Sequence, residues 1–221
     1  MSILECNGLV KYYNSYEVLK GISLKIEQGD FLAIVGQSGS GKSTLLYLLS
    51  GLESVSNGDV KFKDKSILNL SDKEMSNIRL TEFGFVFQFY NLIENLTVEE
   101  NIMYPLLIGK SKLKKQEIKE KVLECAEKVN LKDKLKKYPY QLSGGECQRV
   151  AIARAIITSP SIIFADEPTG NLDSKMGIEI MELLSKINKE LNTTIIMVTH
   201  NDLLSNYFNR IVTIKDGKLY E

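Results

Sequence analysis

The 221-residue chain has no excess of charge of either sign, because 28 Lys and Arg residues balance 28 Asp and Glu residues. No overall electrostatic field therefore attracts nucleic acid or an anionic membrane. The three cysteines are odd in number and stand in no metal-ligand spacing, which argues against a disulfide framework and suits a reducing cytosol. The length allows one large domain or two small subdomains with a substantial core.

Long apolar runs are also missing. No stretch approaches the ~18 consecutive apolar residues that are needed to span a bilayer. The first ten residues, MSILECNGLV, have neither a charged lead nor a long apolar core, so we expect no secretion signal. The expectation is a soluble chain whose membrane role, if it has one, comes through a partner.

A glycine-rich segment that fits the pattern G-x-x-x-x-G-K-[ST] is the most informative feature that is present. It follows an apolar run over residues 31–35, which is typical of a buried strand, and precedes a leucine-rich helix pattern over residues 45–49. Glycines let backbone N–H groups turn toward a polyphosphate, and the helix adds the positive end of its dipole. We expect Lys42 to reach the β- and γ-phosphates and the Ser43 hydroxyl to ligate Mg²⁺. The segment consists of Gly36, Gln37, Ser38, Gly39, Ser40, Gly41, Lys42, Ser43 and Thr44.

Strand and helix patterns alternate along the chain, which predicts an α/β fold with a mostly parallel sheet. Strand patterns cover residues 19–26, 31–35, 60–62, 83–87, 161–166 and, as the last strand, 194–198. Helix patterns cover residues 71–80, 114–130, 146–158 and 174–191. Turns are expected at residues 28–30 and 57–59, and Pro105 is expected to interrupt the segment that the capping box Thr97 to Glu100 opens.

The arrangement of these patterns predicts a single domain over residues 1–221. Residues 1–88 and 159–221 form its α/β core, and the first sixty residues add a small antiparallel sheet. The helix-rich block over residues 89–158 is interpreted as an insertion into that core.

An acidic pair, Asp166 and Glu167, ends a predicted apolar strand, which is where ligands gather in parallel sheets. Taken alone, such a pair is also compatible with a helix cap or a turn. Beside a phosphate loop, however, Mg²⁺ needs an acidic partner, for which Asp166 is the candidate. Glu167 suits a general base that polarises an attacking water molecule.

The segment Leu142-Ser143-Gly144-Gly145-Glu146 resembles the LSGGQ signature of ATP-binding cassette ATPases, with Glu146 where Gln is commonest. A Ser-Gly-Gly directly before a helix is physically a second anion site. Other segments resemble further motifs of that family in the same order along the chain. They are Val86-Phe87-Gln88 (Q-loop), Gly170-Asn171-Leu172-Asp173 (D-loop) and Thr199-His200-Asn201 (H-loop).

The resemblance covers essentially the whole chain and implies a RecA-like phosphate-loop core that binds ATP and Mg²⁺ and hydrolyses ATP to ADP and phosphate. It also implies a head-to-tail homodimer with two ATP molecules at the interface. Tyr13 stands where the family stacks an aromatic ring on adenine, with Tyr12 and Tyr16 as competing candidates. The implied catalytic residues are Lys42, Gln88, Glu167 and His200, and the implied metal ligands are Ser43, Gln88 and Asp166. The implied nucleotide contacts are Tyr13 and residues 36–44 in one subunit, Ser143, Gly144, Gly145 and Glu146 acting on the other subunit's ATP, and Asp173.

Two longer stretches, GFVFQFYNLIENLTVEENI and ADEPTGNLDS, are similar to the LolD- and MacB-like subfamily. That resemblance implies the ATPase subunit of a transporter or of a mechanotransmission complex. It would sit on the inner face of the cell membrane through permease subunits, with or without a membrane-fusion protein, and without a nucleic-acid partner. An FtsE-like cell-division ATPase that regulates a wall hydrolase is the alternative.

Cys147 follows the signature in the first turn of the predicted helix. A helix dipole favours the thiolate at that position, which predicts a thiol more reactive than Cys6 or Cys125. The alternative is an inert, half-buried cysteine.

Overall fold

A six-stranded sheet forms the centre of the protein in the computed structural model, which describes residues 2–109, 113–200 and 202–221. The strands are β1 (Ser2–Tyr13), β2 (Tyr16–Glu27), β3 (Phe31–Val35), β4 (Asn57–Phe62), β5 (Lys65–Ser66), β6 (Phe83–Phe87), β7 (Ile162–Asp166), β8 (Thr194–Val198), β9 (Arg210–Lys215) and β10 (Lys218–Tyr220). The helices are α1 (Lys42–Leu49), α2 (Asp72–Thr81), α3 (Val98–Ile108), α4 (Lys115–Lys128), α5 (Gly144–Ile156) and α6 (Ser174–Leu191). Three-residue 3₁₀ turns at Lys132–Lys134 and Pro139–Gln141 precede α5, and a longer one at Asp202–Tyr207 follows β8.

The central sheet has the strand order β10-β9-β3-β8-β7-β6. Strands β9, β3, β8, β7 and β6 run parallel, and only β10 pairs antiparallel at the edge. Strands β3, β7 and β8 are almost entirely buried, as expected of parallel strands that are covered on both faces. The predicted, mostly parallel α/β core is confirmed.

Alternate residues of these strands pack into two apolar layers, one on each face of the central sheet. On one face, Phe31, Ile163 and Ile195 pack in a cluster with α3, α4, α5 and α6. On the other face, Leu32 and Ile196 pack with α1 and with the second sheet. The segment between β6 and β7 therefore shares its core with the central sheet, and its separation as an inserted subdomain over residues 89–158 remains a prediction.

The second sheet has the order β2-β1-β4-β5 and is antiparallel, as predicted. The expected turn at residues 57–59 is wrong, because these residues form the start of β4. Gly58 has φ +97°, and a Cβ there would stand 2.5 Å from the carbonyl oxygen of Gly8. The turn-like sequence therefore allows a shift in register between β1 and β4 and a close approach of their backbones.

The prediction that Pro105 interrupts the helix after Thr97 is also wrong, because α3 continues to Ile108. Pro105 lacks an N–H, but only three helical residues follow it. The N–H of Gly109 closes the last turn by donating to the Pro105 carbonyl at 3.1 Å, and Leu106 is buried in the core. Packing of the last turn outweighs the lost hydrogen bond.

Residues 194–198 do not form the last strand, since β9 and β10 follow them. Their sequences alternate buried and exposed residues over short stretches, which is a weaker signal than a continuous apolar run. Among the described residues, no helix has both the length and the hydrophobicity that crossing a bilayer requires.

Candidate active site

The glycine-rich loop connects the end of β3 to the start of α1. Gly36 and Gly41 have φ values of +150° and +104°, which L side chains rarely adopt. A Cβ at Gly36 would stand 2.2 Å from the carbonyl oxygen of Ile214, and one at Gly41 would stand 2.7 Å from Leu19 Cδ2. The glycines are therefore required by both the backbone conformation and the lack of space.

The loop presents donors that fit a polyphosphate. Lys42 is buried, and its Nζ donates to the carbonyl oxygens of Gly36 at 2.9 Å and Gln37 at 2.8 Å. The Ser40 Oγ is buried and has no hydrogen-bond partner among the described residues. Helix α1 begins at Gly41 without a side-chain cap and without an acidic residue in its first turn. A buried cation, an unpartnered hydroxyl and an uncapped helix N-terminus together suit an anion with several oxygens.

Asp166, at the end of β7, lies directly against α1. Its Oδ1 accepts a hydrogen bond from Ser43 Oγ at 2.9 Å, and its Oδ2 accepts one from the Tyr47 hydroxyl at 2.6 Å. Burial and the bond to Asp166 raise the pKa of Tyr47. The structure thus brings together Ser43 and Asp166, two of the three predicted metal ligands, and adds Tyr47, which the sequence reasoning missed.

Gln88, the third predicted ligand, makes its hydrogen bonds elsewhere. Its Nε2 donates to Asn171 Oδ1 at 3.2 Å, and Asn171 Nδ2 donates back to the Gln88 carbonyl at 3.0 Å. The predicted Q-loop is therefore tied to the predicted D-loop. A direct role of Gln88 at a metal remains a prediction.

Glu167 adopts a left-handed backbone conformation with φ +45°, which is uncommon for a residue other than glycine. Its N–H donates to the carbonyl oxygen of Val198 at 3.0 Å, which fixes that conformation next to the end of β8. The Glu167 Oε1 stands 3.2 Å from the exposed His200 Nδ1. The predicted catalytic residues Glu167 and His200, which follow β7 and β8, thus meet, whereas Asn201 lies outside the described residues.

Tyr13 is held beside the helix that starts at the loop. Its hydroxyl donates to Glu53, and Lys11 Nζ stands 3.0 Å from the same carboxylate and 5.0 Å from the centroid of the tyrosine ring. Burial opposes ionisation of Glu53, but bonds from Tyr13 and Lys11 hold the pKa of this carboxyl below its usual range. Tyr16 lines a cavity of about 320 Å³ beside the glycine-rich loop. Both rings border the loop, and the choice of Tyr13 for adenine remains a prediction.

The Ser-Gly-Gly segment forms the N-terminus of α5. Ser143 Oγ accepts from the Glu146 N–H at 3.3 Å, and Glu146 Oε2 accepts from the Ser143 N–H at 2.9 Å. The ion pair with Lys134, together with the bond from Ser143, holds the pKa of Glu146 below its usual range. The capping box is thus complete and its carboxylate is paired with a cation.

Glycine at position 145 lets α5 approach α6. A Cβ there would stand 1.9 Å from Met176 Cε. The predicted nucleotide contact Asp173 caps α6, since its Oδ1 accepts from the Met176 N–H at 2.9 Å. Ser143, Gly144, Gly145, Glu146 and Asp173 therefore lie on one side of the molecule, and in the described ranges no hydrogen bond or ion pair joins them to residues 36–44.

Two polar side chains of α5, the buried Gln148 and the half-buried Arg154, connect this helix to the rest of the site, and sequence reasoning missed both. Gln148 Nε2 donates to the carbonyl oxygen of Pro168 at 2.7 Å, directly after Glu167. Arg154 donates to the carbonyl oxygens of Tyr90 and Asn91 at 2.9 and 2.5 Å, just beyond Gln88. Polar residues on the inward face of an apolar helix were the available signal.

The prediction of a reactive thiol at Cys147 is wrong. Its side chain is buried, and burial, followed by the negative charges of Glu94 and Glu146, raises the pKa of the thiol. The Sγ stands 3.6 Å from the carbonyl oxygen of Pro139. Desolvation of the thiolate outweighs the helix dipole, so this cysteine is part of the packing.

Comparison with known proteins agrees with this geometry. Residues 19–170 match the family described as ABC transporter. The bacitracin export ATP-binding protein BceA of Halalkalibacterium halodurans is 44% identical over all of this chain and 88% of its own. The lipoprotein-releasing system ATP-binding protein LolD of Aquifex aeolicus is 47% identical over 98% of this chain and 96% of its own.

A solved structure extends the comparison to three dimensions. It is the dimeric, post-hydrolysis state of the ATP-binding cassette MJ0796 bound to ADP and Pi, with 39% identity and a TM-score of 0.90. The match covers 99% of this chain and 97% of that one.

Proposed function

The chain belongs to the ABC transporter family and is an ATP-binding, ATP-hydrolysing subunit. We propose that the residues described above bind and hydrolyse ATP and that hydrolysis drives a separate membrane permease. The observation that carries the proposal is the meeting of three elements at the carboxyl ends of β3, β7 and β8. There the phosphate loop, the Ser43–Asp166 pair and the Glu167–His200 pair stand side by side. This edge of a parallel sheet is where ligands bind in open α/β folds.

The phosphate loop binds the triphosphate of ATP. Lys42 exchanges its two backbone acceptors for phosphate oxygens. The Ser40 hydroxyl, which has no hydrogen-bond partner among the described residues, donates to a phosphate oxygen. Ser43 and Asp166 suit Mg²⁺ because hydroxyl and carboxylate oxygens are its preferred ligands. Mg²⁺ held by these two side chains would supply positive charge that offsets the negative charge of the phosphates.

Glu167 and His200 act at the γ-phosphate. Glu167 accepts a proton from the attacking water. The water oxygen bonds to the γ-phosphorus, and the bond between the γ-phosphorus and the ADP oxygen breaks. His200 donates to the γ-phosphate while the carboxylate of Glu167 orients its ring. The left-handed backbone of Glu167 supports this assignment, since strained residues cluster at active sites.

ATP joins two copies of the chain head to tail. The first-turn N–H groups of Gly144 and Gly145 have no acceptors within their own helix and face a second anion site. They do not bond to the phosphate loop of their own chain, which supports an action on the ATP of the other copy. The γ-phosphate then supplies the charge that joins the two sites, and hydrolysis removes it.

Closure of the dimer drives separate permease subunits, which would hold the chain at the inner face of the cell membrane. An apolar groove of about 360 Å³ beside the Q-loop, lined among others by Phe85, Tyr104 and Ile108, is the proposed contact for the permease. It touches Arg154 and Asn91, so movement of α5 reaches it directly. The relatives named above are transport components, which favours transport over the division-type role.

Size-exclusion chromatography of Glu167→Gln with ATP tests the proposal. The amide keeps the shape of the side chain but cannot accept the proton, so ATP should persist and the closed dimer should accumulate. The same variant with ADP should elute as a monomer. Glu190→Gln, on the exposed end of α6, is the matched control and should behave like the unmodified chain. A monomeric Glu167→Gln variant with ATP demonstrably bound would exclude the two-copy arrangement.

A further inference from the structure

Helix α1 presents two hydroxyl groups to Asp166, one turn apart on the same face. Ser43 donates to Oδ1 and Tyr47, four residues later, donates to Oδ2. Residues at this spacing are neighbours on a helix surface. The Tyr47–Asp166 distance of 2.6 Å lies in the range of strong hydrogen bonds from a hydroxyl to an ionised carboxylate.

Both the ring and the backbone of Tyr47 are held in place. Its ring packs against the apolar cluster between the two sheets. Its backbone carbonyl accepts hydrogen bonds from the N–H groups of Leu52 and Glu53 at 2.9 and 3.2 Å, just beyond the end of α1. The hydroxyl therefore meets Asp166 with little loss of side-chain entropy.

We propose that Tyr47 is a positioning residue that holds the Asp166 carboxylate in the orientation that Mg²⁺ bound to nucleotide requires. The inference rests on the proposed function of Asp166 as a metal ligand. With a donor on each oxygen, the carboxylate cannot rotate about its Cβ–Cγ bond without losing a hydrogen bond. Ser43 is also a proposed metal ligand, whereas donation to Asp166 is the one role proposed for the Tyr47 hydroxyl.

The hydroxyl and the ring of Tyr47 have separable roles. Phenylalanine would keep the ring in the apolar cluster and remove only the donor to Asp166. A purely structural role predicts the same nucleotide affinity with or without metal in that variant. A positioning role predicts a loss that appears only when Mg²⁺ is present.

The test measures binding of a non-hydrolysable ATP analogue in Mg²⁺ and in EDTA. The readout is the ratio of the two dissociation constants, here called the Mg²⁺ enhancement. Loss of one hydrogen bond to a charged group corresponds to roughly a tenfold change in affinity. Tyr47→Phe should therefore lower the Mg²⁺ enhancement about tenfold and leave the affinity in EDTA unchanged. Tyr220→Phe, which removes an exposed hydroxyl from β10, should change neither quantity.

A double-mutant cycle with Asp166→Asn separates action through Asp166 from an independent effect. In the Asp166→Asn background, Tyr47→Phe should cause no further loss of Mg²⁺ enhancement. An unchanged enhancement in Tyr47→Phe alone, or an equal loss in Mg²⁺ and in EDTA, would overturn the inference. If the unmodified chain bound the analogue without any Mg²⁺ enhancement, the assignment of the metal site itself would fail, which is a different result.

Discussion

The phosphate loop and the signature segment are both helix N-termini suited to anions, but the chain completes them differently. The N-cap of α1 is Gly41, which offers no side-chain cap, and the first residue of the helix is the buried Lys42. The N-cap of α5 is Ser143, which completes a capping box with the carboxylate of Glu146 in the first turn. That carboxylate is paired with Lys134.

These two helix N-termini therefore suit different roles. Asp166, Glu167 and His200 lie beside the phosphate loop, which supports the proposal that one chain holds the nucleotide there. The signature segment satisfies part of its own helix terminus with its capping box. Its remaining donors are backbone N–H groups and one hydroxyl, which fits the proposal that it contacts a nucleotide held by another copy. Variants of the two regions should therefore fail in different ways.

His200→Ala should produce the largest effect, and it lies in the first region. ATP binding should stay nearly intact, because His200 is exposed and its proposed role is confined to the γ-phosphate. Turnover should fall by on the order of 10², as expected when a transition-state contact is lost. Steady-state hydrolysis by the purified permease complex and nucleotide binding to the isolated chain measure the two quantities. Near-normal turnover in this variant would contradict a catalytic role for His200.

Ser143→Ala tests the second region, and Thr97→Ala is its matched control. Both residues are N-caps within complete capping boxes, so each variant should lose about 1 kcal/mol of unfolding free energy. Only Ser143→Ala should also lose the ATP-dependent dimer, with turnover about tenfold lower. Urea unfolding measures the stability loss, chromatography in the Glu167→Gln background measures the dimer, and steady-state hydrolysis with Glu167 intact measures turnover. Equal turnover in both variants would mean that Ser143 acts as a helix cap and not on the nucleotide.

Glu146→Gln should have a smaller effect that depends on pH. The pKa of Glu146 is lower in the folded state, so its contribution to stability is present above the ordinary carboxyl range, near pH ~4. It is lost as the pH falls through the lowered pKa. The variant should thus melt slightly below the unmodified chain at pH 7, and the gap should close in acid. A gap that stays constant with pH would contradict the ion pair with Lys134.

Maleimide treatment of the native chain should have almost no effect. Burial raises the pKa of Cys6 to about 12 and that of Cys125 to about 11, and it raises the pKa of Cys147 as well. Mass spectrometry should find slow labelling of all three thiols until urea is added. Rapid labelling of Cys147 in the native chain would contradict the burial of this side chain.

The central strands and the long helix could be predicted from the sequence almost to the residue. Residues 31–35, 83–87, 174–191 and 194–198 match β3, β6, α6 and β8 because buried runs and an amphipathic period are strong local signals. The 12-residue β1 and the strands after β8 were missed, since their exposed alternation resembles loop sequence. Pro105 and Gly58 were misread because packing and backbone contacts overrode their usual local preferences.

Sequence patterns alone predict that an anion-binding loop, an acidic pair and a histidine lie at one edge of a sheet, and the structure brings them together there. Local patterns place each of them at the end of a parallel strand, and parallel strands end on the same side. The hydrogen bond of Tyr47 to Asp166, which spans 119 residues, and the links of Gln148 and Arg154 to the site follow from the three-dimensional fold. The burial of Cys147 does as well. These outcomes depend on which side chains different elements bring within hydrogen-bond distance, and that is set by the packing of the whole chain.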